Sequence, residues 1–266
     1  MTAPVASRAG RAAGRGAAKL VGAAGRNLHE RIANTLGEQI VGGGHPPGQA
    51  LPTEIELCAS LSVSRSALRE AFKLLAAKRL IVSRQKVGTL VRPRTEWNML
   101  DPEVLAWHLR AAPSDAFVTG LFEVRKIVEP SAAALAAERR TPEALARIEA
   151  ALADMFRFQD GTGDLTEADL RFHQCILDAT GNHFLASFGA VIESALGASF
   201  QLSWHSGHHT PEYSLRQHQG VAEAIRDRRG SDAYAVMTQL LRSASEDVRE
   251  ALLRRQRAGA AVEGAA

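Results

Sequence analysis

The chain has 266 residues, 45% apolar and 23% charged, enough to bury one or two cores and too little bias for collagen, a coiled coil or wholesale disorder. Its net charge of +3 averages two unlike halves: residues 1–95 carry 15 Lys/Arg against 5 Asp/Glu, and residues 96–266 carry 17 against 24. The first half therefore suits a polyanion, and the second does not.

Residues 1–26 are Ala, Gly and basic (Arg8, Arg11, Arg15, Lys19, Arg26, with no acid) and read as a disordered cationic tail that attracts phosphate without regard to sequence. From 28 to 41, Leu28, Ile32, Leu36 and Ile40 recur every four residues, the apolar stripe of a first helix, which Gly42-Gly43-Gly44 and Pro46-Pro47 end. Thr53 with Glu56 has the form of a capping box and opens a short helix over 54–61, with Ile55, Leu57, Cys58 and Leu61 expected to be buried. After Ser62-Val63-Ser64, Ser64 caps a helix over 65–78 that turns Leu68, Phe72 and Leu75 inward and Arg65, Ser66 and Arg69 outward. Two β-type runs, 80–83 and 89–91, are joined by Arg84-Gln85-Lys86-Val87-Gly88. Short helix, tight turn, helix with a basic N-terminal end and basic hairpin make a winged helix-turn-helix.

Duplex DNA accounts for these residue types. Arg65 and Arg69, four apart on one face, can donate paired hydrogen bonds to guanine. Thr53, Ser64 and Ser66 suit phosphate contacts, and Lys86 and Gly88 place the hairpin tip against the backbone or minor groove. The run Leu51-Pro52-Thr53-Glu54, Val63 to Ala71, Leu80-Ile81 and Gly88-Thr89-Leu90-Val91 resembles the N-terminal domain of GntR-superfamily transcription regulators over about residues 28–92, within a DNA-binding domain expected over 27–92. Some members of that family carry an arginine where Ile55 stands, so the resemblance implies that this DNA contact is lost here.

Arg92 to Pro102, with two prolines, breaks periodicity and reads as a linker over 93–102, with Trp97 and Leu100 apolar enough to dock. Beyond it, helical period dominates, with candidate helices over 103–111, 114–137, 142–160, 164–180, 182–202, 211–228 and 231–254. The fold class is therefore mainly α: the winged helix with its small hairpin, then an all-α effector-binding bundle over 103–255 and a disordered tail over 256–266. Cys58 and Cys175 lie far apart in helical patterns, against a disulfide framework and in favour of a reducing cytoplasm. No apolar run approaches the roughly 18 residues of a membrane span.

Asp169 and His173 share one helix face at four-residue spacing, and His218 opens a later helix. One oxygen and two nitrogens form a plausible set for zinc, nickel or manganese, although spacing alone leaves open, and favours, an exposed ion pair and an unrelated surface histidine. His205, His208 and His209 have no fixed spacing and read as a loop. The pattern Arg125, Glu129-Pro130 with its alanines, Asp169 to His173, Ala179 to Asn182 and His218 resembles the FCD ligand-binding domain of the FadR subgroup. That resemblance implies Asp169, His173 and His218 as metal ligands, whereas the place of a fourth, histidine ligand is held by Leu240.

A narrower likeness, over Arg92 to Trp107 and Glu123 to Pro130, is to the D-galactonate-responsive repressors of sugar-acid catabolism. It implies a small sugar acid as effector, another small carboxylate being the alternative. Arg125, Asp169, His173, Asn182, Trp204, Ser214 and His218 carry the chemistry such a ligand needs: a cation for its carboxylate, polar groups for its hydroxyls and an aromatic plane. Each also has a structural reading, Arg125 as an interhelical salt bridge, Asn182 as a helix cap and Trp204 as core. Reading a two-fold operator implies a homodimer. A metal-dependent hydrolase would use the same Asp/His/His set, but no catalytic signature accompanies it and a DNA reader would be idle in it, so no enzyme is expected.

Overall fold

The computed structural model describes residues 28–111, 113–157, 164–203 and 211–263, in two compact units that meet between Met99 and Leu100. The tail, Trp204, the loop histidines and the end of the chain after 263 lie outside the described residues.

The first unit holds α1 (28–41), α2 (Glu54–Leu61), α3 (Arg65–Ala77), β1 (Ile81–Arg84) and β2 (Gly88–Val91). Ile32, Leu36 and Ile40 of α1 are buried with Leu57, Leu68, Leu75, Leu80 and Val91. Thr53 and Glu56 form the full capping box and Ser64 caps α3, so the two helix starts written into the sequence are the ones adopted. Between them, Ser62 takes φ of 55° and its N–H and that of Val63 close back on Ala59 and Cys58 carbonyls, which reverses the chain within three residues. The hairpin pairs Ile81 with Val91 and Arg84 with Gly88. A further edge went unseen in the sequence: Gly48 and Leu51 donate to the carbonyls of Val91 and Thr89, and Val91 donates to Gln49, so the chain before α2 extends the hairpin.

Two expectations need correcting in this unit. Ile55 is 65% exposed, and Leu57 is the residue of α2 that is buried. The segment 93–102 is only partly a linker. Residues Arg94–Glu96 form a 3-10 turn, Trp97 is buried with its indole N–H donated to the Arg92 carbonyl at 2.9 Å, and Asn98 N–H bonds the Lys78 carbonyl at the end of α3. Leu100 stays exposed.

The second unit is helical throughout its described residues: α4 (Pro102–Arg110), α5 (Asp115–Arg139), α6 (Pro142–Arg157), α7 (Leu165–Ala179), α8 (His183–Ala186), α9 (Gly189–Ser203), α10 (Pro211–Arg226) and α11 (Gly230–Glu263). The expected helix over 182–202 is broken at Ser187-Phe188, where the chain turns between α8 and α9. The expected tail from 256 instead continues α11 to Glu263; its Ala, Arg and Glu residues are good helix formers. α5 is the central helix, packed by α7, α9, α10 and α11. Its Ala132, Ala133, Ala136 and Ala137 are fully buried, and such small side chains let neighbouring backbones approach closely.

Arginines tie the ends of these helices together. Arg228 donates to the Glu138 carbonyl at 2.7 Å, Arg140 to the Ile225 carbonyl at 3.3 Å, and Arg139 to the Thr180 carbonyl at 3.4 Å. These are orphan carbonyls at helix C-termini, where a cation is also favoured by the helix dipole. The result fixes α5, α7 and α10 against one another, and those three helices carry the polar cluster described next.

Candidate functional site

On the first unit, Arg65, Ser66 and Arg69 are exposed on the first two turns of α3, and Lys86 is exposed at the hairpin turn. Lys86 and Gly88 take φ of 62° and 100°, left-handed geometry that makes the tight turn possible and that glycine adopts without strain. Arg69 is not a free cation: its Nε lies 3.1 and 3.2 Å from the two carboxylate oxygens of Glu54, and its Nη2 is 3.1 Å from Oε2. The pair crosses from α2 to α3 and fixes the guanidinium's direction. The hydroxyls of Thr53 and Ser64 accept from Glu56 N–H and Ala67 N–H, each at 3.3 Å, so both residues serve first as helix caps.

On the second unit, three helices bring together what the sequence keeps 40 to 90 positions apart. Asp169 and His173 come from α7 and His218 from α10, and one ligand atom from each lies within 4.8 Å of the others. Asp169 Oδ1 is 3.2 Å from His173 Nε2 and 3.1 Å from His218 Nε2. Both imidazoles are oriented from behind: His218 Nδ1 meets the Ser214 carbonyl at 2.8 Å, and His173 Nδ1 meets Glu129 Oε2 at 2.5 Å. A carbonyl only accepts, so His218 Nδ1 carries a proton, while His173 Nδ1 meets Glu129 as an ion-pair contact out of line for a hydrogen bond; both Nε2 atoms face the Asp169 oxygen. Phe172, fully buried, stands edge-on to both rings, at 5.7 and 5.2 Å between centroids.

Two lone-pair nitrogens against a carboxylate repel unless a proton or a cation lies between them. The electrostatics show the same tension. Burial pushes the Asp169 carboxyl up, but His218 and His173 outweigh it and hold it well below the usual carboxylate range. Burial pushes the His173 imidazole down, and Glu129 with the Asp169 contact reverses this to a net rise, against Arg125. The donor set therefore fits a divalent cation through three ligands, with Ser214 and Glu129 behind the two imidazoles.

Arg125 and Glu129, one turn apart on α5, complete the cluster. Their side chains are 1% and 2% exposed, with Nε to Oε1 at 2.5 Å. Arg125 Nη2 lies 3.4 Å from Glu129 Oε2 and 3.3 Å from His173 Nε2, while Nη1 is buried without a hydrogen-bond partner. A guanidinium nitrogen in that condition is rare and costly. Burial raises the Glu129 carboxyl, and Arg125 with His173 brings it down to about 2.

Of the other effector candidates, Ser214 contributes its carbonyl rather than its hydroxyl. Asn182 is the cap of α8, its side-chain oxygen accepting from Phe184 N–H at 3.0 Å, and Trp204 lies outside the described residues. Glu129 was missed as a functional residue. The available signal was that Arg125 and Glu129, four residues apart, fall on the helix face otherwise occupied by the apolar Val118, Phe122, Ala132 and Ala136. Leu240, at the position of the absent fourth ligand, is buried in the core with Met237 and Leu215.

Comparison with known proteins bears on both units. The model of "Bacterial regulatory proteins, gntR family" matches residues 28–91, and that of the FCD domain matches residues 120–243. The galactonate operon transcriptional repressor of Escherichia coli K12 is 37% identical over 224 residues, covering 84% of this chain and 98% of the relative. The chain belongs to the GntR family. A second relative, the HTH-type transcriptional regulator LutR of Bacillus subtilis, is 33% identical, covering 72% of this chain and 87% of its own. Among solved structures, Lar of Listeria monocytogenes superposes with a TM-score of 0.62 at 18% identity, covering 84% of this chain and 97% of that one, a likeness of fold alone. As a GntR-family protein with an FCD domain, the chain is a DNA-binding transcription regulator and not an enzyme. No helix among the described residues is long and apolar enough to cross a membrane.

Proposed function

We propose that this GntR-family regulator is a cytoplasmic homodimeric repressor that binds a two-fold operator through the first turns of α3 and is released by a small sugar acid of the galactonate class. The observation that carries the effector reading is the buried Arg125 guanidinium, with Nη1 unpartnered and Nη2 at 3.3 Å from His173, itself one of the Asp169, His173 and His218 cluster. It supplies a single donor edge for a carboxylate, since the Nε edge is held by Glu129. Asp169, His173 and His218 would hold a divalent cation such as zinc, whose chemistry there is to attract the same carboxylate. The relative named for the galactonate operon supports the sugar acid.

Release requires that the sugar acid bind one arrangement of the dimer better than the other, because an equilibrium shifts only by differential affinity. Fluorescence anisotropy on a selected operator, with an aldonate titrated in, tests the whole reading. Operator affinity that falls as galactonate rises supports it, and affinity unchanged at saturating aldonate refutes it. A different small carboxylate is the second reading, favoured by a 30% identical relative described as a putative L-lactate dehydrogenase operon regulatory protein. Thermal-shift screening of aldonates, uronates, lactate and dicarboxylates, with and without chelator, separates the two.

A further inference from the structure

The hydrogen bond between Arg125 and His173 sets two parts of the helical unit's site against each other. A guanidinium carries donors and no acceptor, so Arg125 Nη2, 3.3 Å from His173 Nε2, uses the lone pair of the imidazole. That lone pair is also the one His173 offers to a cation, beside Asp169 Oδ1 at 3.2 Å and within reach of His218. One lone pair serves one partner at a time.

Arg125 is held in a way that lets it give up this bond. Its Nε is fastened to Glu129 Oε1 at 2.5 Å, whereas Nη2 reaches Glu129 Oε2 only at 3.4 Å and Nη1 has no hydrogen-bond partner. The Phe122 ring, 5.5 Å from Cζ, supports the guanidinium as it moves about that anchor. The edge formed by Nη1 and Nη2 can take a carboxylate through two parallel hydrogen bonds, and His173 occupies its Nη2 half. We infer that Arg125 and a divalent cation exchange at His173: when Nε2 turns its lone pair to the cation, Arg125 leaves the imidazole and presents Nη1 and Nη2 together to the carboxylate of the sugar acid. Effector recognition is thereby gated by the cation, and cation and acid raise each other's affinity by the same factor, as linkage requires. The inference rests on the reading of this site given under Proposed function.

The test is calorimetric titration of the full-length chain with zinc, alone, with saturating D-galactonate and with acetate as the smallest carboxylate probe, each acid's own affinity for zinc being subtracted. Zinc should bind about tenfold more tightly in galactonate, and galactonate about tenfold more tightly with zinc than with chelator. Arg125→Lys keeps the positive charge but has no paired edge to present, so in it the coupling should fall below about threefold while zinc alone binds at least as tightly as to the native chain. Coupling as large in Arg125→Lys as in the native chain means that the cation attracts the carboxylate unaided, and it overturns the inference. Should the variant fail to fold, as a circular dichroism melt would reveal, a crystal structure of the native chain with zinc alone decides. Arg125 Nη2 beyond hydrogen-bond reach of His173 Nε2 supports the exchange, and a hydrogen bond that persists beside ligated zinc overturns it. Zinc affinity raised by acetate but not by galactonate refutes the sugar acid and keeps the exchange, whereas indifference to both acids refutes the exchange. A chain that binds no zinc overturns the cation reading, and this inference with it.

Discussion

Removing the Glu129 carboxylate should destabilise the helical unit severely, while removing both members of its ion pair should not. Glu129 and Arg125 are 2% and 1% exposed, and Glu129 receives Arg125 Nε at 2.5 Å, Arg125 Nη2 at 3.4 Å and His173 Nδ1 at 2.5 Å. Its folded carboxyl is lowered from 4.5 to about 2, a difference that corresponds to about 3 kcal/mol of stability at neutral pH. Glu129→Ala forfeits that and strands a buried guanidinium, an effect of about 3–5 kcal/mol in comparable pairs. For a unit of this size, each kcal/mol moves the melting point by roughly 2–4 °C, so a fall of roughly 6–20 °C is expected by calorimetry. The double variant Arg125→Met with Glu129→Leu removes both desolvation costs and should retain most of the native melting point, losing mainly the acceptor for His173. A Glu129→Ala protein within about 1 kcal/mol of native, or a double variant that falls as far as the single one, would refute the reasoning.

In chelator-treated protein, the stabilisation carried by Glu129 should be complete above its unfolded value of 4.5 and disappear as pH falls through about 2. His173, raised from 6.5, should act in the opposite sense: its contribution is full below 6.5 and lost as pH rises through its higher folded value, which urea melts across pH would reveal. Arg69→Ala should weaken specific operator binding by about 1–3 kcal/mol in electrophoretic or anisotropy titrations; equal loss on random DNA would make it a phosphate contact. Thr53→Ala breaks the capping box and should lower the stability of the winged-helix unit by about 1 kcal/mol in denaturant melts, with no change expected in the helical unit. Zinc should raise the melting point of the native chain and leave that of Asp169→Ala unmoved, and equal shifts in both proteins would place the metal elsewhere.

Much of the reader was legible along the chain because its signals are local. The capping box at Thr53, the Ser64 cap, the four-residue apolar stripe of α1 and the glycine at the hairpin turn each report a backbone conformation from a few adjacent residues. The errors came where burial depends on a neighbour. Ile55 has the character of a core residue but is exposed in the first turn of α2. Of the two apolar residues expected to dock from the linker, Trp97 is buried, with its indole N–H bound to the Arg92 carbonyl, and Leu100 is exposed. The break between α8 and α9 likewise has no strong punctuation beyond Gly189.

By itself the sequence determined the division of labour, a basic reader followed by an acidic helical unit, because charge and hydrophobic period are properties of segments and survive without any contact between them. It also placed Asp169 and His173 on one face of a helix, since four residues make about one turn. Only the tertiary structure decided that His218 arrives from α10 to share the same Asp169 oxygen, and that Arg125 and Glu129 of α5 close the cluster from behind. That outcome depends on how α5, α7 and α10 pack, which is set by buried alanines and by arginines bound to distant helix ends. An ion pair four residues apart looks the same in sequence on a wet surface and in a dry core. Its burial turns an ordinary Arg/Glu pair into an anchored guanidinium with one nitrogen left to offer.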